Sequence, residues 1–391
     1  MKTKILSFFI VLFAVSACGG GGGDSSSSHS SSSSVASSSS SSSSESSSSE
    51  SSSSSESSSS ESSNSSSVAA VGTKVVGYIP SYKGLMTTVD ATDLSVLTHI
   101  NLSFLNPNDD GVLEVGDRMV CMNDGADNPI AGSEIRYVVQ KAHDANVKVL
   151  ASVAGGVIPA CSGDWAVLLA PANRQTLVDN LVQFVDDFEL DGLDIDIENT
   201  VLTAIDNAGN YTPFIQELSE AMKSRGKLLT AATASYVGGM VPTSSLEYFD
   251  YVTIMSYDAV GPSWGPAGVE HSTYANAVSH VGIWQDRGLT KDQLVLGVPF
   301  YGYGFGTYAG SYGFGDLLVQ FGDADPNADV YGERCAGCNY ITYNGIPTIE
   351  AKTELALEEG SGVMIWELSH DAVGQYSLLA TIKAVIDATS E

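Results

Sequence analysis

Basic residues are scarce in this chain of 391 residues: 17 Lys and Arg stand against 46 Asp and Glu, a formal charge of −29. A phosphate backbone is bound largely through cations that displace counterions, so the deficit argues against nucleic acid and against anionic headgroups as partners. Long apolar runs are also missing. Ile5 to Ala14, interrupted by Ser7, is too short to span a bilayer as a helix. Cysteine is limited to five residues and none of the six histidines clusters with them, so no four-ligand zinc set is legible. Nor is Val76-Gly77-Tyr78-Ile79-Pro80-Ser81, at the first strand candidate, a Gly-rich phosphate loop.

Serine, by contrast, is concentrated in one place. Ser25 to Ser67 spans 43 residues of which 35 are Ser, and such a tract cannot bury apolar surface, so it reads as a disordered, solvated tether. Its root-mean-square reach is roughly 35 Å, and about 145 Å when pulled straight. Setting aside residues 1–72 leaves about 320 residues, within the range of one α/β barrel. Only Asp24, Glu45, Glu50, Glu56, Glu61, Lys2 and Lys4 lie in the excluded part, so the globular part keeps 41 acids and 15 bases.

Lys2 and Lys4 ahead of a short apolar core describe an export signal over 1–17. Val15-Ser16-Ala17-Cys18 resembles the lipobox of bacterial lipoproteins, which implies lipidation at Cys18; ordinary secretory cleavage beside an incidental cysteine is the alternative. Gly19 follows in place of Asp, which in lipoproteins resembles cargo for the outer membrane. The expectation is an exported protein, lipid-anchored at the outer membrane or cell surface of a bacterium, with residues 18–72 as linker and 73–391 as the globular domain. In an exported chain Cys121, Cys161, Cys335 and Cys338 suggest two disulfides. Three pairings are possible, and Cys121–Cys161 with Cys335–Cys338 is favoured because it joins two neighbouring loops and closes one tight turn.

From Lys74 onward β-branched runs alternate with helical patterns. Strands are predicted over Lys74–Ile79, Val96–Phe104, Val147–Val153, Gly192–Glu198, Leu228–Ala234, Tyr251–Ser256, Leu294–Phe300 and Gly362–Trp366. Helices are predicted over Glu134–Ala145, Arg174–Asp187, Pro213–Arg225, Tyr274–Gln285, Ile349–Glu358 and Gln375–Ala388, the third opened by Thr212 as N-cap. Eight such alternations give an α/β fold, a (β/α)8 TIM barrel, with a doubly wound sheet as runner-up. About 47 residues after the seventh strand form a short insertion rich in Gly, Tyr and Phe.

The most informative segment is Asp191-Gly192-Leu193-Asp194-Ile195-Asp196-Ile197-Glu198. Strand side chains alternate, so Asp194, Asp196 and Glu198 share the face that points into a barrel, about 6.6 Å apart. Three carboxylates crowded in a packed core cannot all ionise, and at least one pKa must rise. A hard-cation site would use the same ligands but draws others from elsewhere, and no second acidic or His cluster stands out. A purely structural row would bury unpaired acids at a cost of several kcal/mol. General acid chemistry at the strand's C-terminal end remains the strongest reading.

These residues match the DxxDxDxE signature of the chitinases of glycoside hydrolase family 18, which the chain resembles from Val75 to Asp371. Val76-Gly77-Tyr78, Thr98-His99-Ile100-Asn101 with Phe104, Lys148-Val149-Leu150 with Ser152, Met255-Ser256-Tyr257-Asp258, Gly297-Val298-Pro299-Phe300-Tyr301-Gly302 and Gly362-Val363-Met364-Ile365-Trp366-Glu367 agree in order and spacing.

The resemblance implies substrate-assisted, retaining hydrolysis of chitin or chitooligosaccharides by a monomer, with no cofactor and no metal. Glu198 would protonate the leaving oxygen. Asp196 would accept from the sugar's acetamide N–H, Asp194 would tune Asp196 through a shared proton, and Tyr257 would donate to the acetamide oxygen. Trp366 would floor the sugar site, with Met255 and Asp258 beside it and Tyr78 and Ser152 supporting the acidic row. Trp264 is expected either to stack a sugar on the leaving-group side or to pack its own loop. Tyr301, Tyr303, Phe305, Tyr308 and Tyr312 either line the cleft or pack the insertion, while Trp165 and Trp284 read as core. Ile197 stands where the family commonly has Trp or Tyr, and Ser152-Val153-Ala154-Gly155-Gly156 carries one residue more than the usual S-x-G-G. The short insertion implies a shallow groove and endo-type cleavage. An endo-β-N-acetylglucosaminidase of N-glycan cores and a non-catalytic chitin-binding lectin are the alternatives.

Overall fold

The computed structural model describes residues 72–389. The segment read as a signal peptide, Cys18 and the serine tract Ser25 to Ser67 therefore lie outside the described residues. Eight parallel strands close into a barrel: β1 (Lys74–Pro80), β2 (His99–Leu105), β3 (Lys148–Gly155), β4 (Gly192–Ile197), β5 (Leu228–Thr233), β6 (Tyr251–Met255), β7 (Leu294–Pro299) and β8 (Gly362–Trp366). Each pairs with its neighbours in chain order, and β1 with β8 completes the closure. This is the (β/α)8 barrel, and the predicted strands match it to within a few residues.

The periodicity that distinguishes the two faces of β4 is the reason it sits as it does. Leu193, Ile195 and Ile197 turn outward into the layer between strands and helices, joining Leu177, Leu181 and Phe184 of the helix Arg174–Asp187. Each fully buried Leu or Ile there contributes about 2 kcal/mol. A second, smaller apolar cluster of Val76, Tyr78, Tyr251, Val295 and Met364 plugs the barrel interior beneath the site.

Three features depart from the sequence reading. Thr212 is not an N-cap: the helix runs Tyr211–Lys223 with Asn210 at its cap, and the Thr212 hydroxyl lies 2.7 Å from that of Ser244. Between β1 and β2, where no helix is predicted, the chain forms the α-helix Leu85–Ala91. A short antiparallel hairpin, Arg118–Asn123 with Pro129–Ala131, follows β2. The predicted insertion is a four-stranded antiparallel sheet built from Tyr301–Phe305, Gly310–Gly313, Val330–Gly332 and Tyr340–Thr342.

Both expected disulfides are present. Cys121–Cys161 ties the hairpin after β2 to the loop after β3, and Cys335–Cys338 closes the turn in the insertion. Trp165 and Trp284 are buried core residues whose indole N–H groups donate to Asn106 Oδ1 at 2.9 Å and Ser235 Oγ at 3.2 Å.

Candidate active site

The acidic row opens at the C-terminal ends of the strands, and its three members have different surroundings. Asp194, the deepest, is wholly buried and receives three hydroxyl donors: Tyr78 at 2.6 Å and Ser152 at 2.7 Å on Oδ2, and Thr230 at 2.7 Å on Oδ1. Strand register explains two of them, because Ser152 on β3 and Thr230 on β5 pair directly with Asp194. Tyr78 reaches across from β1. Burial raises the Asp194 pKa, and the three donors oppose that shift by solvating the anion.

Asp196, two residues on, is buried with no hydroxyl turned towards it. Its Oδ1 has no hydrogen-bond partner among the described residues, and both Asp194 oxygens are occupied by other groups. Burial, then the charges of Glu198 and Asp194, push its pKa well up. A buried polar atom without a partner costs of the order of 1–3 kcal/mol, which leaves Asp196 Oδ1 available to a ligand.

Glu198 lies just past the end of β4, still extended at φ −119° and ψ 168°, so it keeps the alternation and faces the same way as Asp194 and Asp196. It precedes the helix Asn199–Asn207 without capping it by its side chain, which leaves the carboxyl free for chemistry. Burial first, and then the Asp258 charge, raise it to about 7. A carboxyl that holds its proton near neutrality is suited to general acid work.

Two adjoining cavities meet at this carboxyl. One, of about 450 Å³, is lined by Tyr78, Phe104, Asp196, Tyr257 and Trp366 among others. The second, of about 810 Å³, runs past Tyr236, Trp264, His280 and Tyr303. Glu198, Gly156, Val157, Met255, Tyr257 and Asp258 line both. No Lys or Arg borders either cavity among the described residues, so the acids have no basic counter-ion and burial dominates their titration.

The remaining predicted residues lie in this cleft or directly behind it. Trp366 walls the smaller cavity, stacked on Phe104 with centroids 5.5 Å apart and planes 18° from parallel. Burial pushes the Tyr257 phenol well up, and its hydroxyl has only a 3.8 Å contact to Met364 Sδ, so it remains a neutral donor. Trp264, on the larger cavity, anchors its indole N–H on the Asp258 carbonyl at 3.0 Å. Ser152 and Tyr301 lie one layer behind the cleft instead of in it. Ser152 serves Asp194, and the Tyr301 hydroxyl donates to Asp258 Oδ1. Of the insertion aromatics only Tyr303 reaches the cleft; Phe305 stacks on Tyr340, and Tyr308 and Tyr312 pack against Phe321.

The family profile described as Glycosyl hydrolases family 18 matches residues 74–371. The chain belongs to glycosyl hydrolase family 18. Chitinase A1 of Niallia circulans is 24% identical to it over 401 aligned positions, covering 78% of this chain and 57% of that protein, so the chain spans little more than half of that relative. The GH18 chitinase ChiB from the chitin utilization locus of Flavobacterium johnsoniae superposes with a TM-score of 0.69 at 32% identity, covering 82% of this chain and 96% of that one. A chitinase from Bacteroides thetaiotaomicron gives 0.67 at 27%, covering 81% and 96%.

Several residues of this family 18 site were not legible beforehand. Thr230 becomes recognisable only through its register with Asp194. Tyr236, from the loop after β5, donates to Asn199 Oδ1 at 2.5 Å and forms one side of the larger cavity, and no sequence pattern marks it. The additional residue after Ser152 is accommodated by Ala154 and Gly155 at φ 74° and 92°, which turns Gly156 against Glu198.

Proposed function

We propose that this protein is an endo-type chitinase that cleaves β-1,4 bonds between N-acetylglucosamine units with retention, through an oxazolinium intermediate. The reading rests chiefly on one observation: Glu198, its pKa raised to about 7, stands between two cavities, with the unpaired Oδ1 of Asp196 and the Tyr257 hydroxyl, which has only a 3.8 Å contact to Met364 Sδ, beside it. The names of its relatives, which are chitinases, support the same substrate.

In the first step the acetamide oxygen of the sugar in the smaller cavity attacks its own anomeric carbon. The glycosidic C–O bond breaks, and the Glu198 proton goes to the departing oxygen. Asp196 accepts the acetamide N–H and stabilises the positive charge that develops there, while Tyr257 holds the acetamide oxygen in line. The Glu198 carboxylate then takes a proton from water, whose oxygen attacks the anomeric carbon and reopens the ring. Glu198 ends protonated, ready for the next turnover. The cleft extends on both sides of Glu198, which supports cleavage within a chain.

The same proposal places the domain, as a monomer, on a serine tether behind a lipid at Cys18. A labelled-palmitate experiment with Cys18→Ala tests the anchor: label retained by the variant would refute it. For the activity, chitohexaose and a high-mannose glycoprotein are incubated with the wild type and with Glu198→Gln. Cleavage of chitohexaose by the wild type alone is the expected result. Glycan release without chitohexaose cleavage would point to the N-glycan reading, and binding without either cleavage to a lectin.

A further inference from the structure

Lys352 is the one lysine that is completely buried among the described residues, on the helix Ile346–Glu359, and nothing in the hydrolytic scheme uses it. No carboxylate pairs with it. Its ammonium instead donates to three neutral oxygens: the Ser272 carbonyl at 3.0 Å, the Ser272 hydroxyl at 2.6 Å and Asn344 Oδ1 at 2.7 Å. The Ser272 hydroxyl spends its own hydrogen on the Ser256 carbonyl at 2.7 Å, so towards Lys352 it can only accept. Three acceptors require three N–H donors, which an ammonium has and a neutral amine lacks. A buried cation held only by neutral partners is costly, and burial draws the Lys352 pKa down to about 7.

What that arrangement secures is the backbone on either side of two site residues. Ser256 immediately precedes Tyr257 and Asp258, and its carbonyl is the one that Ser272 holds. On the far side, the Ala259 N–H donates to the His271 carbonyl at 2.9 Å. The dipeptide His271-Ser272 thus brackets Tyr257-Asp258 from both ends. Asn344 and Lys352 fasten Ser272, and Thr342 accepts the His271 N–H at 3.2 Å. Asp258 sits at φ 60°, a left-handed conformation that residues other than glycine populate sparsely.

We propose that Lys352 is a positioning residue for the hydrolytic site, acting through Ser272 to fix the placement of Tyr257 and Asp258. This rests on the chitinase reading for its kinetic consequence, while its structural consequence is independent of that reading. Trp264 reports the latter, because its indole N–H is bonded to the Asp258 carbonyl.

The test is Lys352→Met, alone and combined with Tyr257→Phe, followed by chitohexaose kinetics and by the indole N–H signals in 15N-labelled protein. With folding unchanged by circular dichroism, kcat should fall at least about 10-fold while KM moves by less than about 3-fold. In the Tyr257→Phe background the loss should shrink below its single-variant size, since one of the two residues that Lys352 positions is already removed. The Trp264 signal should shift while that of Trp165 stays. Should Lys352→Met not fold, Ser272→Ala removes the hydroxyl link alone and carries the same expectations. Losses that multiply in the double variant, or an unmoved Trp264 signal, would overturn the proposal. A wild type inactive on chitohexaose would sink the chitinase reading and leave Lys352 to be judged on the Trp264 signal.

Discussion

Gly156 lies so close to Glu198 that a Cβ at that position would stand 2.5 Å from the carboxyl Oε1. The atom in the way is the end of a flexible side chain, so Gly156→Ala would fold by pushing the carboxyl aside. The melting temperature should stay within about 2 °C of wild type, for the substitution touches no core contact. Activity should fall about 10- to 100-fold, because a proton donor displaced by an ångström no longer meets the leaving oxygen. Equal loss of stability and activity would show that Gly156 serves the fold instead.

Glu198, raised to about 7, sets the expected pH dependence. The acid form acts first, so kcat/KM should decline above pH 7 by about tenfold per unit. Stability carries the matching sign. The folded chain holds the proton up to about 7 while the unfolded chain releases it near 4.3, so this group's stabilisation is present at low pH and lost as pH rises between those values. Glu198→Gln should abolish hydrolysis and melt progressively higher than wild type as pH is raised from 5 to 8. A pH-independent difference in melting would contradict the assignment.

Asp194 depends on its three hydroxyls. Tyr78→Phe removes the donor at 2.6 Å and leaves a buried carboxylate under-solvated, a loss of about 1–3 kcal/mol measurable by urea unfolding. The same change should lower kcat, because charge drawn away from Asp194 alters the proton balance with Asp196 and Glu198. Unchanged stability would mean that Ser152 and Thr230 suffice.

The two disulfides should differ in weight. Cys121–Cys161 closes a loop with a sequence separation of 40, and Cys335–Cys338 one with a separation of 3. Chain-entropy arithmetic puts the first near 4 kcal/mol and the second near 2 kcal/mol. Cys121→Ser with Cys161→Ser should therefore lower the melting temperature more than Cys335→Ser with Cys338→Ser. The reverse order would place the stabilising constraint in the insertion.

Alternation along β4 was sufficient to align Asp194, Asp196 and Glu198, because a strand's two-residue period depends on local backbone geometry alone. β-branched runs likewise placed all eight barrel strands near their observed limits, and the spacing of cysteines suggested both bridges. Short or irregular pieces were harder. The hairpin over Arg118–Asn123 and Pro129–Ala131 has too few residues for a periodic signal, and Thr212 looked like a cap because the bond to Ser244 is made by a residue far along the chain.

The amino-acid sequence by itself determined the barrel, the order of its strands and the carboxylates facing its interior, since these follow from local periodicity and from closure of eight parallel strands. Only the tertiary structure decided how each carboxylate is treated. Tyr78 reaches Asp194 across a separation of 116 residues and Thr230 across 36, while Asp196 is left without a donor. Those assignments depend on strand register and on which side chains meet across the barrel, and both are set by packing between segments that no local pattern connects.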